Sequence, residues 1–206
     1  MILIYENSSE NDEFLVVIIS ARFFDLIKLN LKIHLSSLFN MESTQAPNFQ
    51  DHKGCGTNAE IMAQLDASKD ERVIFSCDVI KINRWMQRQT RILLLTNRSL
   101  YNIKKDQIQR KINVQQIKAV TKSTKDGCIQ FVVHVASEYD YIYESEFRPE
   151  IFEAIKYVYY TEHNQNLPLY GVPDQLKEYH TSKKDIMNGL EVNPQEKYRL
   201  KEEDIY

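Results

Sequence analysis

The chain between residues 73 and 143 is rich in strand-forming residues, and apolar and polar residues alternate with a period of two in 129–135 and 139–143. Because successive side chains of a β-strand point to opposite faces, this period predicts strands. The predicted strands are 73–82, 90–96, 99–104, 110–114, 117–123, 129–135 and 139–143. Asn97-Arg98 and Lys125-Asp126-Gly127 have the composition of tight turns. The pattern therefore predicts about seven short antiparallel strands.

The period changes after Pro149, which suits the first turn of a helix. From Ile151 to Tyr159 the apolar residues fall at positions i, i+1, i+4, i+7 and i+8, which form one face of an α-helix. Seven strands followed by one helix most simply make two packed sheets or a barrel, with the helix covering one open end. The expected fold class is mainly β: a seven-stranded barrel or sandwich capped by a C-terminal α-helix, with extended N- and C-terminal segments.

The two flanks of this region have a different composition. Residues 1–70 are expected to be a poorly structured N-terminal extension with a short helix near 59–68. The polar segment after Met41 is typical of a flexible lead-in, so residues 1–40 are interpreted as an artefact of an extended gene model. Residues 162–206 are expected to be an extended acidic tail, in which Ser182 to Asp185 has the pattern of a capping box. Apolar runs in the sequence stay shorter than the roughly 18 residues that a transmembrane helix needs.

Charge is distributed unevenly along the chain. Residues 81–126 contain twelve basic residues and only two acidic ones, although the net charge of the whole chain is −3. The segments on either side are acidic, with 11 acids to 6 bases in residues 1–72 and 15 to 8 in residues 137–206. This asymmetry predicts a surface that binds anions.

Residues that could carry catalysis or hold a metal are scattered. The three cysteines are far apart, without zinc or disulfide spacing, which favours a reducing intracellular setting. His134 on a predicted strand is expected to be solvent-facing or hydrogen-bonded, and Asp140 with nearby Glu138 is the one candidate carboxylate pair. The chain contains five glycines and no phosphate-binding loop for ATP. We expect no enzymatic activity, no metal and no cofactor.

Several sequence blocks occur in an order and spacing that resembles a known family. They are Lys81-Ile-Asn, Arg91-Ile-Leu-Leu-Leu-Thr96, Leu100-Tyr-Asn-Ile, Gln109-Arg-Lys-Ile112, Phe131-Val-Val-His-Val135 and Glu138-Tyr-Asp-Tyr141. Over about residues 70–160 the chain resembles the tail-homology-1 domain of class I myosins, without the motor. The resemblance implies a pleckstrin-homology-like fold over residues 71–161, binding of anionic phospholipids, especially phosphoinositides, and a structural role for the Glu138–Tyr141 motif.

In that family, a basic residue on the first strand and an Arg-x-Arg leading into the second hold the lipid head group. Lys81 matches the first position and Arg91 matches the second arginine of the pair. Gln89 stands where the family has its first arginine. Arg88, one residue earlier, can replace it only if residue 88 lies in the loop, because a one-residue shift on a strand changes the face.

The predicted site lies where alternate loops of the meander meet. Loops 83–89 and 105–109 are expected to be neighbours, with Trp85 and Met86 at a tip that enters the membrane interface. Each basic group near an anionic leaflet contributes about 1 kcal/mol. The predicted lipid-binding residues are Lys81, Arg84, Trp85, Arg88, Arg91, Lys104 and Lys105.

Three other interpretations of the basic region remain open. Trp85 folds back onto the domain and the basic groups are only solvated, or they bind an acidic protein surface, or the acidic tail covers them. A rival function is a structural docking subunit of a larger cytoskeletal or ciliary assembly, since fold alone does not determine function. Expected partners are anionic membrane lipids and a cytoskeletal or acidic protein, with a cytoplasmic location at the membrane or at actin. Nucleic acid is not expected, because no signature for it occurs.

Overall fold

The computed structural model describes residues 2–4, 17–19, 47–65, 70–83, 85–136, 138–174 and 176–201. The chain divides into two compact units, residues 1–48 and 49–206. In the first unit, β1 (Ile2–Ile4) pairs antiparallel with β2 (Val17–Ile19). The predictions for residues around Met41 and for Arg84 lie outside the described residues. All that follows concerns the second unit.

Eight strands of the second unit form one sheet. They are β3 (Val73–Ile82), β4 (Arg88–Thr96), β5 (Ser99–Lys104), β6 (Gln107–Asn113), β7 (Ile117–Ser123), β8 (Gln130–Val135), β9 (Tyr141–Glu144) and β10 (Leu169–Val172). Their order in the sheet is β10-β7-β8-β9-β3-β4-β5-β6. Neighbouring strands are antiparallel, except that β10 runs parallel to β7. The mainly β fold class is therefore confirmed.

The sheet differs from the expected seven-stranded barrel in two ways. Within the described residues, no pairing joins β6 to β10, so the sheet does not close into a barrel. The eighth strand, β10, comes from the segment expected to be an extended tail, and its register on β7 runs from Leu169↔Val120 to Val172↔Ser123. Gly171 permits this arrangement, because a Cβ there would lie 2.8 Å from the side chain of Leu200.

The predicted C-terminal helix is present as α2 (Arg148–His163), and it covers one face of the open sheet rather than the end of a barrel. Pro149 lies in its first turn, and Ile151, Phe152, Ile155 and Val158 are buried along one face. We call the sheet face beneath this helix the inner face. The core there also contains Phe75, Leu93, Leu95, Phe131 and Tyr143.

A second, smaller cluster lies on the outer face of β4 and β5. The helix α1 (Ala59–Met62) is shorter than the predicted 59–68, and Asn58 caps it by accepting hydrogen bonds from the backbone N–H groups of Glu60 and Ile61. Ile61 packs there with Leu94 and other apolar side chains. Residues 66–69 lie outside the described part of the chain. Short 3-10 helices span Cys55–Thr57, Val114–Gln116, Leu176–Glu178 and Glu196–Tyr198.

Buried polar groups attach the C-terminal segment to the sheet. The Asp140 carboxylate accepts hydrogen bonds from the backbone N–H of Val135 (3.0 Å) and from the backbone N–H of Thr181 (2.7 Å). Its Oδ2 also lies 2.8 Å from Nδ1 of His134, whose Nε2 lies 2.7 Å from the hydroxyl of Thr121. His134 is buried, so it is hydrogen-bonded rather than solvent-facing. Because all four groups are enclosed, the network is a structural clamp.

The helix α3 (Lys183–Met187) follows this clamp. Ser182 accepts a hydrogen bond from the backbone N–H of Asp185, and the Asp185 carboxylate accepts one from the backbone N–H of Ser182. The predicted capping box is therefore confirmed. Gly189 follows the helix with a φ of 70°, a left-handed conformation that glycine adopts at little cost.

Candidate anion-binding site

Strand alternation brings three basic side chains to the same end of the inner face. Lys81 shares its face of β3 with the core residues Cys77 and Val79, and Arg91 continues the inner face of β4. On β6, Arg110 pairs with Asn102, two residues along from the buried pair Leu100↔Ile112, so it lies on the same face as Ile112. The arrangement places Lys81, Arg91 and Arg110 together, and we call them the basic cluster.

The electrostatics of the basic cluster are those of crowded cations. Burial, and then the positive charges of Arg110 and Arg91, lower the pKa of Lys81 to about 8. Lys81 Nζ lies 4.9 Å from the ring centre of Tyr141, and Arg110 Cζ lies 5.5 Å from that of Tyr139. Cations at these distances are attracted to the negative faces of the rings. The attraction to the aromatic rings thus partly offsets the repulsion among the cations.

One carboxylate lies close to the basic cluster. Among the ion pairs of the described residues, the cluster takes part in a single pair, between Arg110 and Glu138 at 3.7 Å. The same Glu138 accepts a hydrogen bond from the hydroxyl of Tyr141 at 2.8 Å. Glu138 therefore anchors the aromatic support, and it does not form a carboxylate pair with the buried Asp140. The site keeps an excess of positive charge.

Gln89 helps to hold Arg91 in place. Arg91 donates one hydrogen bond to the side-chain carbonyl of Gln89 (3.0 Å) and another to the backbone carbonyl of Thr90 (2.6 Å). Gln89 and Arg91 lie two residues apart on one strand and so share a face. The residue that departs from the family pattern is an uncharged neighbour of the cluster.

A cleft of about 350 Å³ opens beside the basic cluster. One wall comes from the strands and their loops, and the other comes from the segment that the Asp140 clamp holds. Lys81 and Arg110 line the cleft, whereas Arg91 stands next to Lys81 outside the lining. The lining residues are Lys81, Ile82, Asn83, Trp85, Gln89, Arg110, Tyr139, Asp140, Ile142, His180, Ser182 and Lys183.

Arg88 does not join this site. It is the first residue of β4 and pairs with Ile82, so it lies on the outer face, opposite to Arg91. Its guanidinium lies 2.5 Å from the buried carboxylate of Glu144. Arg88 can replace the missing arginine at position 89 only if it lies in the loop. Because Arg88 lies in β4, that condition is not met.

Lys104 and Lys105 are exposed and do not line the cleft. Lys105 and Asp106 form a two-residue turn, with φ values of 48° and 61°, instead of the predicted loop 105–109. Asp106 accepts a hydrogen bond from the side-chain amide of Asn58, which directs this turn toward α1. Six basic residues were predicted to lie together. Of those that the structure describes, it brings only Lys81 and Arg91 together.

Trp85 and Met86 are presented at the rim. Trp85 is 65% exposed and Met86 is 45% exposed, and Trp85 also lines the cleft. The side-chain carbonyl of Asn83 organises the loop by accepting hydrogen bonds from the backbone N–H groups of Trp85 (3.0 Å) and Gln87 (2.9 Å). Trp85 therefore does not fold back into the core.

Sequence reasoning missed several lining residues. Arg110 could have been found, because it lies two residues from buried Ile112 on the same strand and so shares the inner face with it. Lys183, His180 and Ser182 had no such signal, since they are far from Lys81 along the chain and approach it only through the clamp at Asp140.

Comparison with known proteins decides the family. Residues 41–189 match the family described as the unconventional myosin tail, actin- and lipid-binding. The chain belongs to this family. The match confirms the resemblance seen in the sequence blocks, and it extends beyond them to include α3. No sequence among the curated proteins matches the chain.

Three solved structures are distantly similar to this myosin-tail chain. The hSac2 domain of the human phosphoinositide phosphatase Sac2 is 13% identical, with a TM-score of 0.44, over 57% of this chain and 85% of that one. The pleckstrin-homology domain of Slm1, solved with phosphoserine, is 16% identical, with a TM-score of 0.37, over 42% and 94%. The corresponding domain of human oxysterol-binding protein-related protein 11 is 15% identical, with a TM-score of 0.38, over 43% and 82%.

In this family member, the Glu138–Tyr141 motif positions the groups around the cleft. The Asp140 carboxylate accepts a hydrogen bond from the backbone of Thr181 in the C-terminal segment. The Tyr141 hydroxyl donates to Glu138, and Lys81 lies over the Tyr141 ring. None of the helices in the described part is long and apolar enough to cross a membrane.

Proposed function

We propose that this member of the unconventional myosin tail family is a non-catalytic module that binds anionic phospholipid head groups, phosphoinositides above all, in the cleft beside Lys81 and Arg110. Through that binding it would link membrane to the actin cytoskeleton, as a peripheral protein of the cytoplasm. The observation that carries the proposal is that Lys81 and Arg110 line one cleft and that, among the ion pairs of the described residues, Glu138 is the one carboxylate that pairs with them.

The lowered pKa has a direct consequence for binding. Burial, and then repulsion from Arg110 and Arg91, destabilise the charged form of Lys81, so an anion that enters the cleft favours that form by offsetting the repulsion. Arginine can bind phosphate oxygens through two parallel N–H groups, and lysine adds a compact charge. Two or three such contacts of about 1 kcal/mol each support weak, reversible, salt-sensitive binding.

The rim favours a ligand that is part of a membrane. Trp85 and Met86 are exposed beside the cleft entrance. Tryptophan is favoured at the boundary between head groups and acyl chains. A head group in the cleft and an aromatic side chain in the interface would therefore bind the same bilayer.

Vesicle co-sedimentation tests the proposal. Vesicles of phosphatidylcholine and phosphatidylserine, with or without a phosphatidylinositol phosphate, are pelleted with the wild type and two double variants. Lys81→Gln/Arg110→Gln should lose most of the binding, whereas Lys104→Gln/Lys105→Gln, which removes the same charge outside the cleft, should keep most of it. Equal losses in both variants, or no binding of the wild type at low salt, would overturn the proposal.

A second candidate is a docking module for a cytoskeletal protein, favoured by the description of the family as actin-binding. Co-sedimentation with actin filaments tests it separately from the lipid. If the wild type pellets with filaments and not with anionic vesicles, the docking function replaces the lipid-binding one. If it binds both, vesicles and filaments should be tested in competition.

A further inference from the structure

The wall of the cleft opposite Lys81 comes from the C-terminal segment. His180, Ser182 and Lys183 all line the cleft that Lys81 and Arg110 line. This segment belongs to the acidic C-terminal part of the sequence, yet the charged group that it adds to the cleft is the lysine. Lys183 takes part in no ion pair among the described residues, and it is exposed.

Its position is set by buried hydrogen bonds. The backbone N–H of Thr181 donates to the Asp140 carboxylate (2.7 Å), and the backbone N–H of Asp140 donates to the carbonyl of Thr181 (2.9 Å). The Thr181 hydroxyl accepts a hydrogen bond from the backbone N–H of Val192 at 2.9 Å. Thr181 therefore closes the base of a loop, residues 182–191, that carries α3. We call it the C-terminal loop.

The C-terminal loop combines basic and apolar exposed residues. Met187 is 78% exposed and Leu190 is 58% exposed. Met187 follows Lys183 by four residues on α3, so both side chains lie on one face of the helix. Exposed apolar residues next to lysines are typical of segments that lie in the interface of an anionic membrane.

A further polar group in this wall lacks a partner. Nδ1 of His180 is buried and makes no hydrogen bond within the described part of the chain. Because this atom is enclosed, it does not face the cleft, and the group that this wall offers to phosphate oxygens is the ammonium of Lys183.

We propose that the C-terminal loop is part of the binding site: Lys183 contacts the phosphate of a head group held by Lys81 and Arg110, while Met187 and Leu190 enter the same bilayer. The inference rests on the proposed function. It makes the site composite, since strands β3 and β6 provide one side and the loop held at Asp140 provides the other. The tail then contributes to binding and does not mask the basic cluster.

Two variants of adjacent lysines test the role of Lys183. Lys183→Gln should weaken binding of soluble inositol trisphosphate, measured by calorimetry, by roughly fivefold, the loss expected for one cation. Lys184→Gln removes the same charge one residue away, outside the lining, and should change the affinity by less than about twofold. Equal effects of the two substitutions would overturn the role of Lys183.

A third variant separates a membrane-bound ligand from a free phosphate compound. Met187→Ser/Leu190→Ser should leave the affinity for soluble inositol trisphosphate unchanged and weaken binding to phosphoinositide vesicles severalfold. Unchanged vesicle binding would overturn the insertion of the loop, and a free inositol phosphate would then be the ligand. If the wild type binds and Lys81→Gln/Arg110→Gln does not, but the loop variants behave as wild type, the composite site fails while the proposed function stands.

Discussion

Raising the pH from about 7 to about 9 should weaken the binding of anionic head groups, because it removes the proton from Lys81. Burial and the charges of Arg110 and Arg91 lower the pKa of this lysine from 10.5 to about 8. An anion favours the protonated form, so affinity should fall as the pH rises through this value. For the unliganded protein, Lys81 by itself contributes the opposite trend. Its charged form is disfavoured on folding, so its contribution to the free energy of unfolding should become more favourable between about pH 8 and 10.5.

The expected size of the effect follows from the protonated fraction of Lys81. With a pKa of about 8, roughly nine tenths of the molecules carry the proton at about pH 7 and roughly one tenth at about pH 9. A contact of about 1 kcal/mol makes the protonated form bind about fivefold more tightly. Averaged over the two forms, the affinity should fall about threefold across this range.

Calorimetry with soluble inositol trisphosphate measures both quantities. Titrations in buffers with different ionisation enthalpies give the number of protons taken up on binding. At a pH near the pKa, about a third of a proton should be taken up, because the anion raises the protonated fraction of Lys81 from about a half to about five sixths. The affinity measured at each pH gives the threefold change independently.

Lys81→Arg is the matched control. Its guanidinium stays charged throughout this pH range and so keeps the contact without the titration. The variant should show no loss of affinity and no proton uptake beyond what the phosphate groups of the ligand contribute. Equal pH dependence in the wild type and Lys81→Arg would refute the assignment of the titration to Lys81.

Three further predictions concern the framework of the site. Asp140→Ala removes the acceptor that holds three donors, so urea unfolding should show a loss of roughly 3 kcal/mol, and limited proteolysis should cut the C-terminal loop faster than in the wild type. Gly171→Ala places a Cβ 2.8 Å from Leu200, so the melting temperature should fall, by an amount equivalent to about 1–3 kcal/mol; an unchanged value would show that Leu200 moves freely. A thiol reagent should modify partly exposed Cys128 first, because Cys77 is fully buried and burial raises its pKa to about 12; equal rates in mass spectra would contradict this.

The sequence predicted β3, β5 and β7 with their observed bounds, because the pattern of strand-forming residues depends only on neighbouring residues. It failed at β6, where Gln107 and Gln109 were interpreted as part of a loop. The strand is the last in the sheet order, so among the described residues one of its edges pairs with no other strand, and much of the strand is exposed. Polar residues are tolerated on such an edge, and the alternation signal is lost there.

The family was also readable from the sequence, as was the capping box of α3. The placement of Arg88 was not. Whether that residue lies in the loop or in the strand depends on where β3 and β4 stop pairing, and the pairing of Ile82 with Arg88 puts it on the outer face.

By itself, then, the sequence determined the strand-rich fold, the closing helix, the basic character of the central region and the family, because each of these depends on local pattern or on the order of motifs. Only the tertiary structure decided which cations meet and what faces them. That outcome depends on the register between strands and on the Asp140 clamp, which brings Lys183 to the cleft that Lys81 lines. Contacts between residues so far apart in sequence leave no periodic trace in the chain, so the composite cleft appears only when the chain is folded.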